Sequence, residues 1–209
     1  MAADPFTDEG EGRQARGPRK RQAVLDAARR VFTEKGYNAS VEEIAFEAEV
    51  SKQTIYNQFG SKEQLFLAMV DARVEEVLAP LAGADADADP REVLMQIGRA
   101  YHTKVIAPDN VKMLRAIIAA PGASNILRDL YSQGPSRFTR VFSAWLAALD
   151  AGGRLRIPDP VLAAEHFVSF TFGPLHLRRL FGVEAPLDEA DVERRVGYCV
   201  ETFLKAHAP

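Results

Sequence analysis

Hydrophobic residues recur along most of the chain with the spacing of amphipathic helices. Between Pro18 and Gly36 the apolar positions fall three and four residues apart and form one stripe. The same spacing continues to the C-terminus, and no segment alternates apolar and polar residues as a half-buried strand would. The pattern predicts an all-α protein of about nine helices.

Local signals mark where several of these helices begin. Two are capping boxes, in which a serine caps the helix and a side chain three residues later reaches back. Two others join a capping aspartate to a first-turn proline. These signals are Ser40 with Glu43, Ser61 with Gln64, Asp89-Pro90 and Asp159-Pro160. Ser51 is suited to cap a short helix ending near Phe59, and Pro135 predicts a break after a helix over 123–132.

Composition divides the chain into an arm and two domains. Residues 1–17 are polar and without periodicity, which predicts a disordered arm. Residues 18–62 contain the short helices and form the first predicted domain, from which a long helix over 61–82 leads onward. The segment AGADADADP reads as a linker because it alternates Asp and Ala and closes with Pro. Residues 83–209 then form a second helical domain.

Charge is distributed unevenly along the chain. The net charge is −3, yet eight basic residues and only two acidic ones lie between Arg13 and Lys35. A basic end on an acidic body is typical of a modular nucleic-acid binder. The chain has one cysteine, and its N-terminus lacks the apolar run of a signal peptide. No segment is apolar enough to span a bilayer. We therefore expect a cytoplasmic protein with no membrane association.

The second short helix, over about 51–59, presents an unusual outer face. Its helical phase turns Ile55 and Phe59 inward and points Gln53 and Asn57 outward. Glutamine and asparagine amides match the N6 and N7 atoms of adenine in the major groove. Two short helices braced by longer ones are the geometry of a helix-turn-helix. The sequence therefore predicts that this helix reads double-stranded DNA.

Neighbouring residues add further contacts to this interface. Lys52, in the first helical turn, is placed to reach guanine O6 and N7. The hydroxyls of Thr54 and Tyr56 lie on the flanks, where they are suited to bind phosphates. Lys62 adds a cation at the start of the next helix, where exposed backbone N–H groups also favour anions.

Residues 19–66, with the core SVEEIAFEAEVSKQTIYNQFGSKEQLF, resemble the DNA-binding domain of the TetR family of bacterial regulators. The resemblance implies that Lys52, Gln53 and Asn57 approach bases. It implies phosphate contacts for a second set: Ser40, Thr54, Tyr56, Gln58 and Lys62. One position departs from the family pattern, because Glu49 stands where a turn glycine is usual. A glycine adopts positive φ without strain, so a glutamate there implies a strained or altered turn.

The same resemblance implies that the C-terminal domain binds a ligand and forms a homodimer through its last two long helices. The function it implies is that of a repressor gated by a small, largely apolar effector. Aromatic and methionine side chains at helical spacing are candidate pocket residues. They are Met95, Tyr101, Met113, Phe138, Phe142, Trp145 and Phe170. His102 and Arg115 fall in otherwise apolar helices and are candidate polar groups for the effector.

Two other classes of protein compete with this interpretation. An enzyme is disfavoured because the four histidines lack paired metal-ligand spacing and no phosphate loop or nucleophile elbow is present. No catalytic residue, metal or cofactor is therefore expected. An architectural DNA binder without an effector would not require about 120 further residues of helical domain.

Overall fold

The computed structural model describes residues 9–84, 88–120, 122, 124–183 and 187–209, with side chains from Pro18 onward. These residues form α-helices joined by short loops, and no strand occurs among them. The helices are α1 (Glu9–Lys35), α2 (Val41–Glu47), α3 (Lys52–Phe59), α4 (Lys62–Ala82), α5 (Pro90–Lys104), α6 (Pro108–Ile118), α7 (Ser124–Tyr131), α8 (Arg137–Ala151), α9 (Pro160–Leu180) and α10 (Glu189–Ala206). The all-α prediction is confirmed.

A π-helical turn, Ser132–Ser136, connects α7 directly to α8. The sequence predicted a break before Pro135, and this prediction is wrong. Proline lacks an N–H group and disrupts an ordinary α-helix. The π-helical turn accommodates Pro135, so α7, the turn and α8 form one continuous helical segment. Counted in this way, the described residues contain nine continuous helical segments.

Helix α1 begins earlier than the hydrophobic pattern indicates. Its backbone is helical from Glu9, whereas the predicted irregular arm extends to residue 17. The structure thus differs from the expected arm over residues 9–17, while residues 1–8 lie outside the described residues. Residues 9–17 contain a single apolar side chain, that of Ala15, so they show no hydrophobic periodicity from which a helix could be detected.

The chain divides into two compact units, with the boundary between Met69 and Val70 inside α4. The first unit is built on a small core in which Phe32, Ile44, Ile55 and Phe66 are almost fully buried. The Phe32 and Phe66 rings meet edge to face with their centroids 5.4 Å apart. This core holds α2 and α3 against the longer helices of the unit.

The second unit has its own core, formed by the end of α4 with α5, α8, α9 and α10. Helices α5 and α10 approach closely at Gly98, where an added Cβ would lie 2.4 Å from Val196 Cγ1. A glycine is therefore required at this crossing unless Val196 shifts. A smaller cluster around Ile106, Phe172 and Leu175 extends the packing.

None of the described helices is long and apolar enough to cross a membrane. Within the same residues, His, Cys, Asp and Glu side chains nowhere gather into a group of three that would hold a metal ion. Cys199 is buried on α10 as a free thiol.

Candidate nucleic-acid interface

The first helix of the predicted motif is anchored at its N-terminus by a complete capping box. The Glu43 backbone N–H donates to Ser40 Oγ at 3.2 Å, and the Ser40 N–H donates to Glu43 Oε2 at 2.7 Å. Lys35 Nζ donates to the other Glu43 oxygen at 2.6 Å. These hydrogen bonds, that from Lys35 first, lower the pKa of Glu43 to about 2. The start of α2 is therefore held by an ionised carboxylate.

The turn between α2 and α3 is a Schellman motif centred on Glu49. The Val50 N–H donates to the Ala45 carbonyl at 3.0 Å, and the Glu49 N–H donates to that of Phe46 at 3.2 Å. Glu49 adopts φ 52°, in the left-handed region that favours glycine. The turn thus keeps its standard hydrogen bonds and places a strained glutamate in the position usually held by glycine.

Ser51 sets the start and the rotation of α3. Its Oγ accepts from the Thr54 N–H at 3.1 Å. Ile55 and Phe59 are buried, as the helical phase predicts, and the Arg21 guanidinium lies 5.0 Å from the centre of the Phe59 ring. With this side fixed, the opposite face of α3 can only point away from the core of the first unit.

The outward face of α3 carries polar side chains and no acidic residue. Gln53, Tyr56, Asn57 and Gln58 are exposed there. Gln53 Nε2 donates to Asn57 Oδ1 at 2.8 Å. This bond does not use the Gln53 carbonyl oxygen or the Asn57 amide hydrogens, and both side chains are exposed. The pair consequently presents one acceptor and one donor, the combination that an adenine edge requires.

Lys52 is also exposed, but its ammonium already has a partner. It donates to a carboxylate oxygen of Glu42, in the first turn of α2, and lies 5.6 Å from the centre of the Tyr56 ring. The hydrogen bond and charge of Glu42 raise the pKa of Lys52, and Lys52 lowers that of Glu42. Any contact of Lys52 with DNA must compete with this ion pair. Sequence reasoning missed Glu42, which lies ten positions away in another helix.

The predicted phosphate contacts are arranged around this face. Ser40 and Thr54 are half-buried, and their hydroxyls take part in the two helix caps described above. Lys62 begins α4, with its Nζ 4.7 Å from the centre of the Tyr37 ring. Partial burial lowers the pKa of Lys62, while burial and the nearby Glu63 carboxylate raise the pKa of Tyr37 to about 12. The Tyr37 ring thus contacts the Lys62 ammonium and helps to hold it at the start of α4.

Five of the seven candidate pocket residues belong to one packed cluster of side chains in the second unit: Met95, Tyr101, Phe138, Phe142 and Trp145. Met95, Met113, Phe138 and Phe142 are buried in the packing of the helices. Tyr101 stacks on Phe172, with ring centroids 3.9 Å apart. Phe170 is 51% exposed on α9. Of the seven candidates, only Trp145 lines the cavity found between α4 and α8.

This cavity has a volume of about 270 Å³. Its walls come from the end of α4 and from one face of α8. They consist of Glu75, Leu78, Leu81, Ala82, Arg137, Val141 and Trp145. Sequence reasoning missed all of these except Trp145, because nothing in a helical apolar stripe shows which of its residues borders a void.

Comparison with known families identifies both units. Residues 24–69 match the profile described as bacterial regulatory proteins of the tetR family. Residues 92–209, more than half of the chain, match that of the AefR-like transcriptional repressor C-terminal domain. The chain belongs to the TetR family. This TetR-family protein is accordingly a helix-turn-helix transcriptional regulator, and not an enzyme.

Similar curated regulators include HbdR of Aromatoleum sp. (strain CIB), at 30% identity over 156 residues, which are 72% of this chain and 66% of HbdR. The activator FasR of Mycolicibacterium smegmatis is 40% identical over 73 residues, 34% of this chain and 33% of FasR. The chain thus spans less than two thirds of the length of these curated relatives.

Solved structures of TetR-family regulators match over nearly the whole chain. A regulator from Mesorhizobium loti shares 29% identity with a TM-score of 0.71, covering 91% of this chain and 97% of its own. The flavonoid-responsive regulator FrrA shares 31% identity with a TM-score of 0.66, covering 92% and 99%. These matches agree with the predicted helix-turn-helix domain followed by a helical C-terminal domain.

Proposed function

We propose that this TetR-family regulator is a repressor that binds a palindromic operator as a homodimer and responds to a small, largely apolar effector. The observation that carries the proposal is the outward face of α3, where Gln53 and Asn57 present an amide acceptor and donor. The description of the C-terminal match as a transcriptional repressor domain supports the direction of regulation.

In this proposal, Gln53, Asn57 and Lys52 contact bases in the major groove. A second set of residues holds the backbone phosphates: Ser40, Thr54, Tyr56, Gln58 and Lys62. The two groups differ in what they contribute, because base contacts carry sequence information while phosphate contacts carry affinity and register. The Glu42 carboxylate limits the sequence-independent affinity of Lys52, since the ammonium is already paired.

Exposed apolar side chains on α9 and α10 support homodimer formation. Phe170, Leu177 and Tyr198 are each at least half exposed on these two helices. The Phe170 and Tyr198 ring centroids lie 6.2 Å apart, so these two exposed groups adjoin each other across the helix pair. Large adjoining apolar groups on a surface are typical of an interaction site. A second copy of the chain is the partner that a two-fold operator requires.

The cavity between α4 and α8 is the proposed effector site. Its volume of about 270 Å³ is near the lower end of ligand pockets, and most of its walls are apolar. The related regulator FrrA is named as flavonoid-responsive, which supports control by a small molecule here. Helix α4 supplies Leu65 and Phe66 to the core of the first unit and Leu78 and Leu81 to the cavity wall. In the proposal, effector binding favours a state in which the two recognition helices no longer match successive major grooves.

Selection of bound sequences from a random DNA pool tests the proposal. We expect a pseudo-palindrome whose half-sites are separated by at least one helical turn, ~34–36 Å. Footprinting and stoichiometry on the selected site should then show two chains bound. A single asymmetric half-site occupied by one chain would contradict the homodimeric mode of binding.

Transcription in vitro from a promoter carrying the selected site tests the direction of control. A repressor lowers transcript yield when it is added, whereas an activator raises it. The activator alternative deserves this arm because FasR, which matches the N-terminal part of the chain, is named as an activator. Increased transcription would replace the repressor assignment and leave operator recognition unchanged.

A further inference from the structure

The polar end of the cavity between α4 and α8 is lined by Glu75 and Arg137, which form a cluster of three charges with Asp71 beside them. Arg137 Nη1 lies 2.5 Å from Asp71 Oδ1, and Arg137 Nη2 donates to Glu75. Asp71 and Glu75 stand one turn apart on α4 and share this one arginine from α8. The cluster therefore carries one negative charge more than it can neutralise internally.

The remaining walls of the cavity are apolar. Leu78, Leu81 and Ala82 continue along α4 beyond Glu75, and Val141 and Trp145 follow Arg137 along α8 at intervals of one turn. Both helices thus pass from charged to apolar in the same direction. A ligand that fills this space has a polar head at one end and an apolar body at the other.

The charge balance decides the sign of the head group. An anionic head would add to the excess negative charge or displace a carboxylate from Arg137, leaving that carboxylate unpaired. A cationic head would instead complete the neutralisation beside Glu75.

We propose that this cavity binds an amphiphilic organic cation, with its head beside Glu75 and its apolar body against Leu78, Leu81 and Trp145. The inference rests on the proposed function, because it assigns the chemical class of the effector in the site proposed above. It goes beyond that proposal by excluding carboxylate ligands of the same size.

Three probes with the same apolar chain separate the contribution of the head group. They are octyltrimethylammonium, octanol and octanoate, each titrated into the full-length chain. Trp145 is the only tryptophan, so intrinsic fluorescence reports directly on the cavity. We expect the cation to bind about fivefold more tightly than octanol and octanoate to bind most weakly, because only the cation forms an ion pair with the partly exposed Glu75 carboxylate.

The variant Glu75→Gln removes the charge that faces the cavity while Arg137 keeps its contact with Asp71. We expect this variant to bind octyltrimethylammonium and octanol with similar affinity. Glu201→Gln is the matched control, because Glu201 also belongs to an interhelical ion pair, with Arg91, and does not line the cavity. The control should keep the full preference for the cation.

The outcomes distinguish the inference from the proposed function. Octanoate or octanol binding as tightly as the cation, or a neutral aromatic compound binding better than all three, would overturn the cationic class while leaving an effector site in place. No change in Trp145 fluorescence with any probe would overturn both. Cation binding that leaves operator affinity unchanged would support the ligand class and contradict effector gating.

Discussion

At the scale of single residues, Gln53 and Asn57 differ from Tyr56 and Lys62 in the kind of DNA contact proposed for them. The two amides hold each other in place, so removing either one disturbs the donor–acceptor pair that faces the groove. Gln53→Ala or Asn57→Ala should lose about 1–3 kcal/mol on the selected operator and relax preference at one or two base pairs. Competition binding against single-base operator variants measures both effects.

Lys62→Ala and Tyr56→Phe should instead weaken binding to all sequences alike. For Lys62→Ala, the slope of log K against log salt concentration should become shallower by about one, because one phosphate contact is lost. Salt titrations on operator and on random DNA provide the comparison. If all four variants changed sequence preference in the same way, the division into base and phosphate contacts would be wrong.

Glu49 provides a second prediction at this scale, through its backbone. A non-glycine residue in the left-handed region destabilises the folded state by about 1–2 kcal/mol. Glycine removes this strain, but part of the gain is lost because glycine also increases the conformational entropy of the unfolded chain. Glu49→Gly should therefore raise the free energy of unfolding by about 1 kcal/mol in urea titrations. Glu47→Gly, two residues earlier and inside α2, should lower it by a similar amount. Destabilisation by both substitutions would show that φ 52° is not a source of strain.

The sequence anticipated Glu49 and missed Glu42 for a physical reason. A positive φ in a short turn follows from local geometry, so the absence of the usual glycine can be seen directly. The Lys52–Glu42 contact depends on how two helices cross, which no local pattern records. The burial of Ile55 was likewise predictable, because it follows from the spacing of residues along one helix. The contact between Lys62 and the Tyr37 ring was not predictable, because the two residues lie in different elements.

At the scale of helices, His102 on α5 is a polar group buried in apolar packing. Its side chain is almost fully buried beside Phe172, and neither ring nitrogen has a hydrogen-bond partner among the described residues. Burial, together with the positive charges of Arg179 and Arg195, lowers the pKa of His102 from 6.5 to about 4. The folded protein therefore holds this ring neutral under conditions in which the unfolded chain protonates it.

This difference predicts a loss of stability in mild acid. Between pH 6.5 and pH 4 the unfolded state binds the additional proton, so the free energy of unfolding falls as pH falls, by up to about 3 kcal/mol from this ring. His102→Phe should remove that part of the pH dependence and retain an aromatic contact with Phe172. Urea unfolding of both proteins across this range measures the difference. Equal losses in the wild type and the variant would exclude His102 as the titrating group.

Helix boundaries were predictable wherever a side chain acts on its own backbone. Asp89 and Asp159 cap α5 and α9 as expected, each followed by its proline. The cavity was not predictable from the same helices, because apolar side chains such as Phe142 and Trp145 look alike in a periodic pattern. Which of them borders a void depends on the spacing between α4 and α8.

At the scale of the whole molecule, the proposed homodimer couples the exposed apolar groups of α9 and α10 to operator affinity. Two recognition helices held in one particle bind a palindrome far more tightly than two separate ones, by a factor on the order of 100 or more. Phe170→Glu places a charge among these groups without entering the core, since Phe170 is 51% exposed. We expect this variant to sediment as a monomer and to lose about 100-fold in affinity for the full operator.

A matched control separates the interface from exposed apolar groups in general. Ile118 on α6 is 54% exposed, so Ile118→Glu introduces the same charge at a similarly exposed site on a different helix. This control should remain dimeric and bind the operator normally. Both variants should keep wild-type helical circular dichroism, and Phe170→Glu should still bind an isolated half-site, because its recognition helix is unchanged. A charge at a dimer interface must be desolvated for association, whereas a charge on free surface stays in water. If Phe170→Glu remained dimeric, or if Ile118→Glu dissociated to the same extent, the dimer interface would have to lie elsewhere.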